Sequence, residues 1–464
     1  MNKRHAMLLL FLGLWLGGCK PGFEVYDLRC EGLEGPLAID TDRPHFSWKT
    51  RSSVPFGQYA YEIEIPGVWH SGKVLSDAQV MVPYTGEALA SRQLYSWRVR
   101  VWKNEQEASP WSPLQRFGIG ITGDDRLQGR FIGAVPGEGR APLLRRRFTV
   151  DSLREGTAVL HVNSLGYHEA YINGMRVGDA VLSPAVSQLD KRSLIVSYDV
   201  TPLLCEGQND ILLHIGSGWY KEQTFGTAYD GPLVQADLDL VCDGGIRPLL
   251  RTDGSWEGSP SAYRDPGTWR PHGFAGEIID ARIQPVWRPV DVVEVTGLTA
   301  SPQPCEPCRV QEVLEPVAIE PLGGGSWRVD FGRVVNAQLE LALPWLPRGH
   351  RVIALYADVL SDRIDTGICG SDEFISSGTR EGDRFINRFN HHVFRYVQLD
   401  SLPEAPRLVR AHRMRTDFAS TASFRCSDDE LNRIHDLVAH TMDNLAFNGY
   451  MVDCASIERL VIVF

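Results

Sequence analysis

The chain has 464 residues, 43% of them hydrophobic and 23% charged, with a formal net charge of -11. That length is a prior for roughly three or four domains, each able to bury a core. An acidic balance without a basic stripe excludes a nucleic-acid partner, because a phosphate backbone needs clustered Lys and Arg. The 44 Gly, 28 Pro and 12 Trp suit many short strands punctuated by turns, and Trp also stacks well on sugar faces.

The N-terminus reads as a targeting segment. Lys3 and Arg4 are a positive start, and Met7 to Trp15 form an apolar run too short to span a bilayer. Leu16-Gly17-Gly18-Cys19 follows and resembles a bacterial lipobox, in which Cys19 becomes lipidated. Residues 1–19 are therefore expected to be a lipoprotein signal peptide. The mature chain is expected at the outer membrane, attached by its acyl chains alone. Lys20 gives no signal for inner-membrane retention.

Residues 23–120 alternate with period two, as half-buried strands do. Phe46-Ser47-Trp48, Tyr61 to Ile65 and Leu94 to Trp102 carry the pattern. With a tyrosine near the start of the last strand, the segment resembles a fibronectin type III module. Residues 118–125 read as a linker.

Residues 130–292 form a second β unit. Ala158 to Val162 is a strand, and Ala170 to Val177 is a hairpin whose Asn173-Gly174 suits a type I′ turn. Tyr198-Asp199-Val200-Thr201, Gly218-Trp219-Tyr220, Thr252 to Trp256 and Gly276-Glu277 follow. A jelly-roll sandwich with ordinary turn residues leads; a sugar-contacting face of exposed Trp219, Tyr220 and Trp256 is the sharper alternative.

These landmarks, from Tyr171 through Asn173-Gly174, Gly218-Trp219-Tyr220 and Gly276-Glu277 to Asp280-Ala281-Arg282, resemble in their order the N-terminal β-sandwich of bacterial α-L-rhamnosidases of glycoside hydrolase family 78. The resemblance continues through residues 293–415, implied to be a concanavalin-like β-sandwich. It carries Val329-Asp330-Phe331-Gly332, Tyr356-Ala357-Asp358-Val359-Leu360 and Phe394-Arg395-Tyr396-Val397. Asp358 stands where the family usually has Glu. In this region Cys305-Glu306-Pro307-Cys308 has no second ligand pair for a metal, so a loop disulfide or two free thiols is expected. His391 and His392, as strand neighbours, point to opposite faces and do not share an ion.

From Ser427 the period changes to 3.6. Ser427 with Glu430 reads as a capping box, and Leu431, Ile434, Val438, Met442 and Leu445 make one apolar stripe. Residues 416–464 resemble the start of the family's (α/α)6 catalytic barrel. The expected fold is mainly β: tandem sandwiches followed by the first helix of a truncated barrel.

The chemistry is expected in Asp453-Cys454-Ala455-Ser456-Ile457-Glu458-Arg459-Leu460. Two carboxylates near apolar residues suit glycosidic hydrolysis, in which one group stays protonated to donate to the leaving oxygen. The resemblance implies Glu458 as general acid, Asp453 as the grip on rhamnose hydroxyls and Arg459 as the group that orients them. Ala455 and Ile457 stand where the family has Pro and Arg. An inverting family needs a second carboxylate about 6.5–9.5 Å away to activate water. In the family that base lies downstream, so this 464-residue chain is expected to be an inactive fragment. The expected partner is a rhamnose-containing glycan or glycoside, and no cofactor or metal is expected. A lipid-anchored, non-catalytic carbohydrate-binding protein is the alternative.

Overall fold

The structure is a computed structural model. It describes residues 22–134, 139–154, 156–189, 191–220, 229, 231–242, 245–264, 275–360 and 370–451. Two compact units are present. The first takes in residues up to 35 with 43–87 and 95–117; the second takes in 36–42, 88–94 and everything from 118 onward.

The first unit is built on β1 (Phe23–Cys30), β2 (His45–Ser52), β3 (Ala60–Ile65), β4 (Trp69–His70), β5 (Val82–Pro83), β6 (Leu94–Trp102) and β7 (Gln115–Gly118). They form two sheets, β1-β2-β5 and β4-β3-β6-β7, a sandwich in which alternate residues face inward. Phe46, Trp97 and Phe117 fill its centre, with Phe46 and Trp97 ring centroids 4.3 Å apart. Outside, Arg98, Trp111, Arg100, Trp102 and Lys73 stack alternately, cation over ring, while Glu64 and Glu62 hold the two arginines from β3.

The second unit begins with β8 (Phe131–Gly133), β9 (Arg140–Val150), β10 (Gly156–Leu165), β11 (Tyr167–Ile172), β12 (Met175–Arg176), β13 (Arg192–Asp199), β14 (Gly207–Gly216), β15 (Leu233–Cys242), β16 (Gly245–Arg251), β17 (Glu257–Arg264), β18 (Ala275–Asp280), β19 (Arg288–Pro289), β20 (Asp291–Val293) and β21 (Thr299–Pro302). It continues with β22 (Cys308–Leu314), β23 (Ala318–Gly323), β24 (Ser326–Ala342), β25 (Arg351–Ala357), β26 (Ser371–Ile375), β27 (Arg384–Ile386), β28 (His392–Asp400) and β29 (Leu408–Thr416).

One sheet runs β20-β8-β15-β10-β13-β21, with β16 beside β15. The other runs β12-β11-β14-β9-β17-β18-β26-β25-β28-β24-β29-β22 without a break. The first core lies under Leu144, Leu160, Val162, Ile211, Leu213, Leu238 and Trp256. Trp256 is 2% exposed and Tyr220 7%, so these two rings pack inward rather than onto the alternative sugar-contacting face; the Trp219 side chain lies outside the described residues. The second core gathers around Val329, Leu339, Tyr356, Phe374 and Phe394. The long strand β24 breaks register between Asp330 and Val335, where Gly332 has a φ of +77°, and so serves both sides of that core.

Residues 118–125 are not a free linker. The Gly118 and Gly120 amides donate to Pro36 and Ile39, and Ile121 is buried. Arg92 and Asp125 then bind this strap to the buried Asp237 and Asp239 of β15.

After β29 comes one helix, α1 (Asp429–Leu445), and the short hairpin strands β30 (Ala446–Phe447) and β31 (Tyr450–Met451). Its cap is Asp428 rather than Ser427: the Asp428 carboxylate accepts from the Glu430 and Leu431 amides, and extended Asp428 leaves Ser427 outside the first turn. The stripe exists, but it faces outward. Leu431, Ile434, Val438 and Met442 are each about half exposed, whereas Asn432 and Asn444 are buried. The helix docks by its polar side. Asn444 Nδ2 donates to the Val334 carbonyl, His440 Nε2 lies 2.9 Å from the same oxygen, and the Asn336 side chain donates to the Asn444 carbonyl. Buried amides are tolerated there because each finds a partner.

Candidate active site

The hairpin after α1 leads into the segment that carries the expected chemistry. Asp453, Glu458 and Arg459 lie outside the described residues, as does Cys19. The described ground stops two residues short of Asp453 and is firmly anchored. Asn448 has a φ of +53°, a left-handed turn that Asn tolerates better than most residues, and is 2% exposed. Its Nδ2 donates to the Tyr167 hydroxyl at 3.2 Å, and its carbonyl accepts from the Val186 amide at 3.1 Å. The next amide, Gly449, donates to Thr416 Oγ1. Phe447 packs on the His391 ring at 4.1 Å. Two sandwiches and a helix therefore meet on three consecutive residues, Phe447 to Gly449.

Gly449 also needs its lack of a side chain: φ is +86°, and a Cβ would stand 2.8 Å from Cys305 Sγ. Cys305 and Cys308 are both free thiols, and burial pushes them up to about 11 and about 12, which keeps them protonated and unreactive at neutral pH. Among the described residues no group of His, Cys, Asp and Glu is arranged to hold a metal ion.

His391 and His392 diverge as expected. Nδ1 of His391 lies 2.7 Å from Asn336 Oδ1, and burial pushes the ring down to about 3. His392 stacks on Tyr356 at 3.8 Å and lies 3.1 Å from both oxygens of Asp372.

The sequence landmarks assemble into ion pairs and hydrogen-bonded nodes. Asp330 and Arg395 form a two-pronged pair, and the Gly332 amide caps the same carboxylate. Asp280 and Arg282 make a second. Arg388 donates to Tyr263, Tyr171 and Glu169, tying β11 and β17 to the loop before β28. A third node is the most buried. Glu277 on β18 accepts from the amides of Arg388 and Phe389 and from Asn387 Nδ2. The same Asn387 nitrogen donates to Asp372 on β26, which also accepts from the Glu277 amide and the Tyr356 hydroxyl. Burial, and then the Asp372 charge, push the Glu277 carboxyl up to about 7 against those three donors. Burial also acts to raise Asp372, but His392 and Tyr356 outweigh it and hold its carboxyl below the ordinary value.

Of these residues, the sequence marked Glu277, Asp280, Asp330 and Arg395 only as landmarks of a resemblance. Asn448, Tyr167, Asn387 and Asp372 carried no local signal, because their partners are far away in the chain.

Comparison with known proteins identifies the family. Four domain families match in chain order: the Rha78A-like N-terminal immunoglobulin domain (residues 25–123), the α-L-rhamnosidase N-terminal domain (154–312), the bacterial α-L-rhamnosidase concanavalin-like domain (321–416) and the bacterial α-L-rhamnosidase 6 hairpin glycosidase domain (419–462). The chain belongs to the bacterial α-L-rhamnosidases of glycoside hydrolase family 78.

Over 97% of its length it is 26% identical to an α-L-rhamnosidase of Formosa agariphila, of which it covers 54%. The solved α-L-rhamnosidase of Dictyoglumus thermophilum matches 93% of the chain at 25% identity with a TM-score of 0.81, and 53% of that structure is covered. The Streptomyces avermitilis α-L-rhamnosidase complexed with L-rhamnose matches 94% of the chain at 19% identity with a TM-score of 0.82, 61% of it being covered, a likeness of fold alone. The chain spans about half the length of the curated relatives it matches.

Proposed function

We infer that the protein is an inverting α-L-rhamnosidase acting on terminal α-L-rhamnosyl residues of glycans or glycosides, and that this chain is its N-terminal portion. The observation that carries the reading is the ordered run of four rhamnosidase domain matches, the last covering α1, the anchored hairpin and the carboxylate segment. In this reading Glu458 protonates the leaving oxygen, and its apolar neighbours Ile457 and Leu460 favour the neutral form a donor needs. Asp453 holds sugar hydroxyls, Arg459 orients the two carboxylates, and the carboxylate that activates water comes from the rest of the catalytic domain.

The test is hydrolysis of an aryl α-L-rhamnoside by the product of the complete reading frame, with the anomer of released rhamnose followed by NMR. Turnover with inversion is expected, and Glu458→Gln is expected to lower kcat by roughly two to four orders of magnitude, as loss of a general acid does. The 464-residue chain by itself is expected to show no turnover. Turnover without inversion, or an unaffected Glu458→Gln enzyme, would overturn the assignment. The non-catalytic binding reading loses two of its three candidate aromatics, since Trp256 and Tyr220 are buried.

We also infer that the protein is exported and held at the outer membrane through Cys19. The support is the Leu16-Gly17-Gly18-Cys19 sequence after a short apolar run. In a bacterial host fed labelled palmitate, the wild-type chain is expected to take up label and sediment with membranes. Cys19→Ser is expected to do neither; equal labelling of the two would remove the lipid anchor from the picture.

A further inference from the structure

The seam between the two sandwiches is unusual in what it buries. Strands β18 and β26 run parallel, Ile278 opposite Glu373 and Ile279 opposite Phe374, and this ladder is the join in the long sheet. On it stand Glu277 and Asp372, two buried carboxylates bridged by one amide nitrogen, Asn387 Nδ2, at 3.0 and 2.9 Å. Two carboxylates so placed are within a few ångströms of each other, and both are buried, Glu277 4% and Asp372 1% exposed.

The groups that face this pair can be named element by element. Tyr356 on β25 and His392 on β28 both face Asp372. The loop before β28 gives Glu277 only neutral donors, the Arg388 and Phe389 amides and Asn387. The Arg388 guanidinium itself is turned to Tyr263 on β17 and to Glu169 and Tyr171 on β11. On β18, Asp280 is committed to Arg282, and on β26, Glu373 is committed to Arg351. Asp372 thus has an imidazole beside it and Glu277 has no cation among the described residues. An unpaired buried charge is costly, and the cheapest remedy for a carboxyl group is to keep its proton.

We propose that Glu277 and Asp372 form a proton-operated latch on the β18–β26 seam, closed while the pair holds a proton and loosened when that proton is lost. Opening the ladder lets water reach Glu277, which then ionises like any exposed carboxyl, so opening releases a proton near neutral pH. Folded Glu277 is pushed up to about 7 from an ordinary 4.5. A group raised on folding stabilises most below its unfolded value, and that stability is lost as pH climbs through the folded value. Between pH 6 and pH 8 the opening constant of the seam should rise about tenfold. The latch is independent of any glycosidase activity, so its failure would leave the rhamnosidase reading untouched.

Amide hydrogen exchange on the full chain, corrected for intrinsic rates at pH 6 and pH 8, tests it. The Glu277 amide, which donates to Asp372, and the β26 amides should lose about tenfold in protection, as the linkage requires. The β3–β6 ladder, where buried Ile63 faces buried Val99 and neither strand carries a histidine, should hold its protection and serves as reference. Glu277→Gln should remove the pH dependence of the seam. Equal protection at the two pH values, or a fall shared by both ladders, would overturn the latch from the wild-type chain alone, even if Glu277→Gln does not fold. A slope that survives in a folded Glu277→Gln chain would overturn it as well.

Discussion

Gly276→Ala is expected to cost at least about 3 kcal/mol, and to leave little soluble protein, because overpacking here meets backbone. A Cβ on Gly276 would fall onto the Ser371 carbonyl oxygen, far inside contact distance, and stand 2.5 Å from Asp372 Oδ1. A flexible side chain could swing away, but Ser371 is paired in the parallel ladder, opposite Ala275 and Leu355, and cannot retreat without breaking both pairings. Gly276 does not owe its place to a left-handed backbone; the reason is close approach alone. Urea unfolding of Gly276→Ala beside Gly254→Ala isolates that reason. At Gly254 the added carbon meets only Val292, at 3.4 Å, and stability should stay near the wild-type value. A Gly276→Ala chain as stable as the control would show that the seam yields more easily than its geometry implies.

Arg92→Ala is the second large effect, about 3 kcal/mol by the same measurement, near the low end for breaking a buried ion pair. Arg92 is 5% exposed and donates to Asp125 at 2.8 Å, Asp237 at 2.8 Å and Asp239 at 3.0 Å, the last two fully buried. Burial pushes the Asp125 carboxyl up, but the Arg92 and Ser91 donors more than offset it and leave it below the ordinary value. Removing the guanidinium strands two buried carboxylates. Arg251 limits the damage, since it also reaches Asp239 at 2.5 Å and Asp237 at 3.4 Å. Arg92→Lys should recover only part of the loss, because one ammonium cannot replace a planar fork that touches three carboxylates. An Arg92→Ala chain with unchanged unfolding midpoint would mean that Arg251 alone neutralises the site.

Much of the architecture was legible because it is written locally. Period-two alternation marked Tyr61 to Ile65 and Leu94 to Trp102, which are β3 and β6. The change to period 3.6 after Ser427 marked α1, and its apolar stripe was read correctly as a face. Which face turns inward was not legible. Amphipathicity says that two sides differ, not which of them meets the sheet. Here His440 and Asn444 do so, because Val334 and Asn336 offer matching backbone and amide groups. Trp256 shows the same limit for a single residue: a Gly-Ser-Trp turn looks exposed, yet its ring closes the first core and its indole N–H donates to the Arg251 carbonyl. The nodes were hidden for another reason. Glu277 and Asp372 are 95 residues apart, Arg92 and Asp237 are 145 apart, and no local periodicity encodes such meetings. The proposed Asp453, Glu458 and Arg459 site was found by motif alone.

The uninterrupted sheet also governs how this chain must be made. Strand β18 leaves the ribosome with one edge open, and its parallel partner β26 follows only after the whole stretch that includes β24 has been synthesised. Such an edge is a template for pairing with another chain, and long-range parallel pairing is slow to form. The vulnerable moment is therefore during translation, when the N-terminal half is complete and its neighbour is not. An expression boundary drawn after β21, between residues 302 and 303, would make that moment permanent. Aggregation of such a truncated chain would then reflect an unfinished sheet edge rather than a badly packed core.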